Sequence, residues 1–131
     1  MEIKMKVIVA GSRGIVEMDE IHAAIQNSGF QIEELVSGGA RGVDQLGELW
    51  ASNHGIPVKR FLPDWYKFGK RAGMFRNTEM AHYATALIAI WDGASRGTKH
   101  MIETARYAGL KVFVHKVKWT RRIVQWEKKG S

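Results

Sequence analysis

The segment Val36-Ser37-Gly38-Gly39-Ala40-Arg41-Gly42-Val43-Asp44 follows an apolar run and opens a helix-like stretch, and its residue types suit the holding of an anion. Glycines let a backbone approach a ligand closely, and a helix N-terminus offers unpaired N–H groups carrying about half a positive charge. Three further segments repeat the theme: Gly11-Ser12-Arg13-Gly14, Pro63-Asp64-Trp65, and Asp92-Gly93-Ala94-Ser95-Arg96-Gly97-Thr98. Ser12 and Ser37 read as hydroxyl donors to phosphate, and Arg13 and Arg41 as guanidinium forks for its oxygens. Asp44 has two readings, a carboxylate that stabilises the first turn of its helix or a ligand contact. Trp65, Tyr66 and Phe68 offer aromatic faces on which a base can stack; their alternative is local packing, which is preferred for Phe68.

The spacings exclude several chemistries. Gly11-Ser12-Arg13-Gly14 is not G-x-G-x-x-G, and Gly93 to Lys99 lacks the G-x-x-x-x-G-K-[ST] spacing, which argues against a dinucleotide dehydrogenase and a P-loop ATPase. Neither serine stands in a G-x-S-x-G elbow. The absence of cysteine removes disulfides, thiolate metal sites and cysteine nucleophiles. His22, His54, His82, His100 and His115 are scattered without metal-ligand spacing, and His100 alone falls near the glycine turns. No metal and no resident cofactor are expected.

The elements that must position these segments show in the apolar pattern. Lys6 to Ala10 and Ala86 to Trp91 are apolar runs without alternation, as in strands covered on both faces. Further strands are predicted at about Gln31–Val36, Val58–Phe61 and Val112–Val114. Helical spacing links Met18, Ile21, Ala24 and Ile25, then recurs over residues 43–53, about 74–84 and about 98–108. Residues 62–73, dense in aromatic and basic side chains, break the pattern and read as a long functional connection. Five strands alternating with four helices predict an α/β layer structure with a parallel sheet. In such a sheet the crevice lies beyond the carboxyl ends of the strands, where the strand order reverses, and all four glycine-rich or charged turns fall on that edge.

The chain has 131 residues and a net charge of +7. Residues 111–131 hold seven of the cations (Lys111, Lys116, Lys118, Arg121, Arg122, Lys128 and Lys129) against Glu127, which leaves the rest near neutral. This divides the chain into one domain over 1–116 and a basic extension over 117–131. With Trp119 and Trp126, the extension offers phosphate contacts and stacking to a nucleic acid; its alternative is a solvated tail packed by its tryptophans. No signal peptide and no membrane-spanning stretch is read, so a cytoplasmic location without membrane partners is expected.

The motifs together resemble the SLOG superfamily, named for Smf, DprA and LOG proteins, and most closely its YspA-type, cpYpsA-related branch. The likeness is carried in order by Val9-Ala10-Gly11-Ser12-Arg13, Ser37 to Asp44, and Pro63-Asp64-Trp65 with Gly69-Lys70 and Ala72-Gly73. It continues through Arg76-Asn77 with Met80, and Trp91-Asp92-Gly93 with Ser95-Arg96-Gly97-Thr98, covering about residues 5–115. The resemblance implies a Rossmann-like three-layer sandwich with a central five-stranded, mostly parallel sheet, and a nucleotide or nucleotide-derived ligand that is sensed or processed. The four turns and these motifs together give the expected ligand residues: Gly11, Ser12, Arg13, Ser37, Gly38, Gly39, Arg41, Gly42, Asp44, Asp64, Trp65, Arg76, Asn77, Asp92, Gly93, Ser95, Gly97 and Thr98. The resemblance also implies assembly as a homodimer or higher homo-oligomer.

An enzyme comparison within the superfamily is LOG, a phosphoribohydrolase that cleaves the N-glycosidic bond of nucleoside monophosphates. Its R-K-x-E-M-A motif is similar to Arg76-Asn77-Thr78-Glu79-Met80-Ala81, which carries Arg76 over as a phosphate or ribose contact. Its P-G-G-x-G-T-x-x-E motif fits at Gly97-Thr98, but Met101 stands where the glutamate would be. Glu103 does not substitute, because five residues past Thr98 at about 100° each point it roughly 140° away around a helix. Asp92, Asp64 and Asp44 remain as carboxylates, with Arg76 and Asp92 as the candidate catalytic pair. Three functions therefore stand: a nucleotide-ligand binder, a LOG-type hydrolase, and a DprA-like single-strand nucleic-acid binder using the basic extension.

Overall fold

A computed structural model describes residues 3–117. The basic extension, with Trp119 and Trp126, falls outside the described residues apart from Val117.

The apolar runs are strands buried on both faces. β1 (Lys4–Gly11) directs Val7 and Val9 to one side of the sheet and Ile8 and Ala10 to the other, all of them buried. The remaining strands are β2 (Gln31–Ser37), β3 (Val58–Arg60), β4 (Ala86–Trp91) and β5 (Lys111–Lys116). Their order is β3-β2-β1-β4-β5 and each pairing is parallel. The sheet is thus wholly, not mostly, parallel among the described residues. β1 pairs with β4 from Val7↔Ala86 to Gly11↔Ile90, so the strand order reverses where Gly11 meets the end of β4.

The helices are α1 (Met18–Ser28), α2 (Val43–Asn53), a four-residue α3 (Trp65–Phe68), α4 (Ala72–Tyr83) and α5 (Arg96–Tyr107). α1 and α2 cover the first face through Ile21, Ala24, Ile25, Trp50 and Ala51. α4 and α5 cover the second through Met80, Ala81, Met101, Ile102 and Ala105. Burying the isoleucines and methionines among them contributes about 1.5–3 kcal/mol each, which makes these two layers the main source of stability. Parallel strands with helices on both faces define a Rossmann-like α/β fold.

Two element boundaries differ from the sequence expectation. Within residues 62–73, 65–73 are helical rather than loop: Asp64 caps α3 by accepting the Lys67 N–H at 3.0 Å, Gly69–Arg71 form one 3-10 turn, and α4 starts at Ala72. None of the residues of α3 or of that turn is buried, so hydrophobic periodicity gave no sign of them. α5 begins at Arg96, which puts Gly97 and Thr98 inside its first turn.

Behind the glycine segment, the Ser37 hydroxyl donates to Glu48 at 2.6 Å and accepts the Gly39 N–H at 3.1 Å. Glu48 in turn pairs with Arg60 of β3 at 2.5 Å. Glu48→Ala leaves the fully buried Ser37 hydroxyl without its acceptor, so a loss of about 1 kcal/mol is expected, read as a lower urea midpoint.

Candidate functional site

Five polar side chains among the described residues are buried: Ser12, Ser37, Asp44, Asn77 and Thr98. Buried polar groups cost free energy unless they are hydrogen-bonded, so a fold concentrates them where they are used. Four of the five, all but Ser37, line one cavity of about 580 Å³ at the carboxyl ends of β1 and β4. A volume of about 300–1,000 Å³ is usual for a small-molecule site, and the β1/β4 switch is where parallel sheets place one.

Of the residues expected to touch a ligand, the cavity wall includes Gly11, Ser12, Arg13, Asp44, Trp65, Arg76, Asn77, Asp92, Ser95, Gly97 and Thr98. It does not include Ser37, Gly38, Gly39, Arg41, Gly42, Asp64 or Gly93. Several have a local reason. Ser37 is bound to Glu48, Asp64 caps α3, and Arg41 is exposed to solvent. Gly93 sits in the exposed turn after β4, where Asp92 Oδ1 accepts the Ala94 and Ser95 N–H groups at 2.8 Å.

The glycine segment, expected to cradle an anion, packs closely against the protein's own groups. A side chain on Gly38 would lie 2.5 Å from Arg76 Nη1 and 3.0 Å from Asp44 Oδ2. The Gly38 carbonyl accepts from Arg76 Nη1 at 2.5 Å, and Asp44 Oδ2 accepts the Ala40 N–H at 3.1 Å. Gly42 caps α2 at φ 77°, with a Cβ position 2.4 Å from the Arg13 carbonyl oxygen, so only glycine fits against the turn after β1. The segment reaches the cavity through Ala40 and Asp44 alone.

The charges that remain favour an anion. Arg13, Lys70, Arg76 and Arg96 line the cavity against Asp44 and Asp92. Ser95, the N-cap of α5, makes no side-chain hydrogen bond to its helix backbone; its hydroxyl meets Thr98 Oγ1 at 3.2 Å instead. The first turn of α5 therefore meets the cavity without a side-chain cap, as an anion-binding helix end requires. Arg76 spends Nε on Asn77 Oδ1 at 3.0 Å and one Nη1 hydrogen on Gly38, leaving three of its five donors.

Burial pushes the Asp44 carboxyl up to about 6, against hydrogen bonds from Ala40 and Gly38 and the nearby Arg76 charge, with Glu48 adding to the rise. Arg76 is drawn down by burial and by Arg13 and held up by Asp44, and it stays a cation. Asp92 differs: burial would raise it, but the Ser95 and Ala94 N–H groups and the Ser12 hydroxyl together hold it below the usual carboxylate range. The cavity thus has one carboxyl poised to hold a proton and one that stays ionised.

The cavity also takes in Ala10, Gly14, Ala40, Lys70, Gly73, Met74, Met80, Arg96 and Met101, which were not named as ligand residues, and His100, which the sequence placed near the glycine turns without a ligand role. Lys70, Met80 and Arg96 lie within the motif runs and were legible as neighbours. The role of His100 was not, because it depends on the contact between α4 and α5. Trp91, at the end of β4, packs on the second core layer and donates Nε1–H to the Ser95 carbonyl at 3.0 Å, bracing the turn that carries Asp92.

A parallel Rossmann-like sheet with a cation-rich crevice at its switch point places the protein among the α/β folds that present ligand sites at the carboxyl edge. Within that class, the chain belongs to the YspA, cpYpsA-related SLOG family, whose model matches residues 5–68. It is 36% identical over 84 residues to the Gene 61 protein of Mycobacterium phage D29, an alignment covering 60% of this chain and 67% of the relative. Its fold is similar to the X-ray structure of DNA processing protein A (DprA) from Streptococcus pneumoniae, with a TM-score of 0.69 at 19% identity. That match covers 92% of this chain, which spans 56% of the DprA chain. No helix among the described residues is long and apolar enough to cross a membrane.

Proposed function

We propose that the crevice binds a nucleotide or a nucleotide-derived ligand: a nucleoside phosphate, ADP-ribose or an NAD-like molecule. The observation that carries this reading is the convergence of Arg13, Arg76, Arg96 and the uncapped start of α5 on one cavity of about 580 Å³. Phosphate fits the Gly11–Gly14 turn, Arg76 and the first turn of α5, while Trp65 offers a face for the base. Trp65 is half exposed, on an α3 that buries no residue, so it can settle on a base with little loss of core packing. Titration with AMP is expected to quench tryptophan fluorescence, and Trp65→Phe to remove most of that response. A full response in the variant would take Trp65 out of the site.

A hydrolase reading is favoured by the two cavity carboxyls whose environments push them apart, since such pairs supply the acid and base of a reaction. Asp44 would protonate the leaving base as the N-glycosidic bond breaks, ionised Asp92 would face the cationic sugar of the transition state, and water would add to the sugar carbon and return its proton to Asp44. Met101, where LOG has its glutamate, stands against this reading. Incubation with nucleoside monophosphates, NAD and ADP-ribose, followed by chromatography for free base, separates the two. Base release that disappears in Arg76→Ala and Asp92→Asn would sink the pure binder.

The nucleic-acid reading draws on the DprA-like fold and on the basic extension. It expects oligonucleotide binding that is lost when residues 117–131 are deleted.

A further inference from the structure

Asn77 was expected to touch a ligand, but its amide is engaged within the protein. It is only 6% exposed, and its Oδ1 accepts from Arg76 Nε at 3.0 Å. A guanidinium Nε can only donate, so this contact fixes which end of the amide is oxygen. The amide nitrogen must then face Gly97 O at 3.5 Å and His100 Nδ1 at 3.0 Å. Because an amide nitrogen also only donates, His100 Nδ1 must accept. A neutral imidazole with one accepting nitrogen carries its hydrogen on the other, so Nε2 is the donor. Its partner within the protein is Thr104 Oγ1 at 3.4 Å, a long contact that holds the hydrogen weakly, and the His100 ring itself lines the cavity.

We propose that Asn77 is a positioning residue that fixes His100 as the Nε2–H tautomer, making its imidazole a neutral hydrogen-bond donor to an oxygen of the ligand in the crevice. The donor role rests on the nucleotide reading of the cavity; the tautomer lock does not. One amide, joining α4 to the first turns of α5, thereby orients two cavity-lining groups, the Arg76 guanidinium and the His100 ring. An aspartate at this position would accept from both neighbours, placing a proton on His100 Nδ1 and a carboxylate against Arg76. Asparagine avoids that second charge and leaves the guanidinium for an anionic ligand.

The test is a long-range proton–nitrogen NMR spectrum of histidine-labelled protein, with the His100 signals assigned by their loss in His100→Gln. The wild type is expected to show Nε2 protonated and Nδ1 bare at neutral pH; a proton on Nδ1 would overturn the lock. Asn77→Asp is expected to move a proton onto Nδ1, and a spectrum unchanged by that substitution would also overturn it. In AMP titrations His100→Gln, whose amide can place an N–H near the Nε2 position, should stay within about threefold of wild type, while His100→Leu should bind about tenfold more weakly. Wild-type affinity in His100→Leu would overturn the donor role. A wild type that binds no AMP yet shows the Nε2–H tautomer would overturn the nucleotide reading and its donor role, and leave the lock standing.

Discussion

Arg76→Ala is expected to weaken AMP binding by about a hundredfold, as measured by isothermal titration calorimetry. Arg76 is the cavity cation with its guanidinium fixed from two sides, by Gly38 O and Asn77 Oδ1, while its other donors remain for a ligand. A hydrogen bond between charged partners contributes about 1.5–3 kcal/mol, and two of them at the lower end of that range, about 3 kcal/mol together, account for a change of about a hundredfold. Arg76→Lys should recover only part of the loss, because one ammonium cannot hold Gly38 O and Asn77 Oδ1 and still fork onto phosphate. Removing the cation also leaves buried Asp44 without its compensating charge, so the melting temperature of Arg76→Ala should be followed alongside the affinity. A folded Arg76→Ala protein that binds AMP within threefold of wild type would remove the residue from the site.

Asp44→Asn is expected to stabilise the protein at neutral pH by up to about 3 kcal/mol. Asp44 is 5% exposed, and its folded carboxyl lies at about 6 against 3.8 for the free side chain. Because the folded value is the higher one, the native state holds the proton while the unfolded chain has released it between about pH 4 and 6. Stability from this group is therefore complete below about pH 4, declines as pH rises to about 6, and is lost above that. The rise from 3.8 to about 6 corresponds to about 3 kcal/mol. The asparagine carries no such titration and still offers an oxygen to the Ala40 N–H. Urea unfolding from pH 4 to 7 should show the variant gaining on wild type as pH rises. A constant difference, or a wild type that leads at pH 7, would refute the assignment. A carboxyl kept at this cost beside Arg76 is the pattern of a group retained for binding or chemistry.

Much of this site was legible in order along the chain, for a physical reason. Strands covered on both faces must be apolar throughout, so Val7–Val9 and Ala86–Trp91 marked the centre of the sheet. The turns after them then had to share its carboxyl edge, which brought Gly11–Arg13 and Asp92–Thr98 together from the sequence alone. Arg76 was reached through its motif rather than its pattern. What the pattern missed depends on contacts between distant residues. Gly38 and Arg76 are far apart in sequence, and nothing local says that the glycine makes room for the guanidinium rather than for an external anion. The protonation of Asp44 depends on how deeply the surrounding elements bury it together. The helical residues after Asp64 escaped because an exposed helical turn has no core face to give it a period.

The proposed nucleoside phosphate sits at the β1/β4 switch, on the turn after β1 and the first turn of α5. Titrating nitrogen-labelled protein with AMP while following backbone amide shifts is the sharpest test of that placement. Saturable shifts centred on Gly11–Gly14 and Arg96–Thr98, and greatly reduced in Arg76→Ala, are the predicted result. Shifts confined to residues 117–131, or none at millimolar AMP, would contradict it.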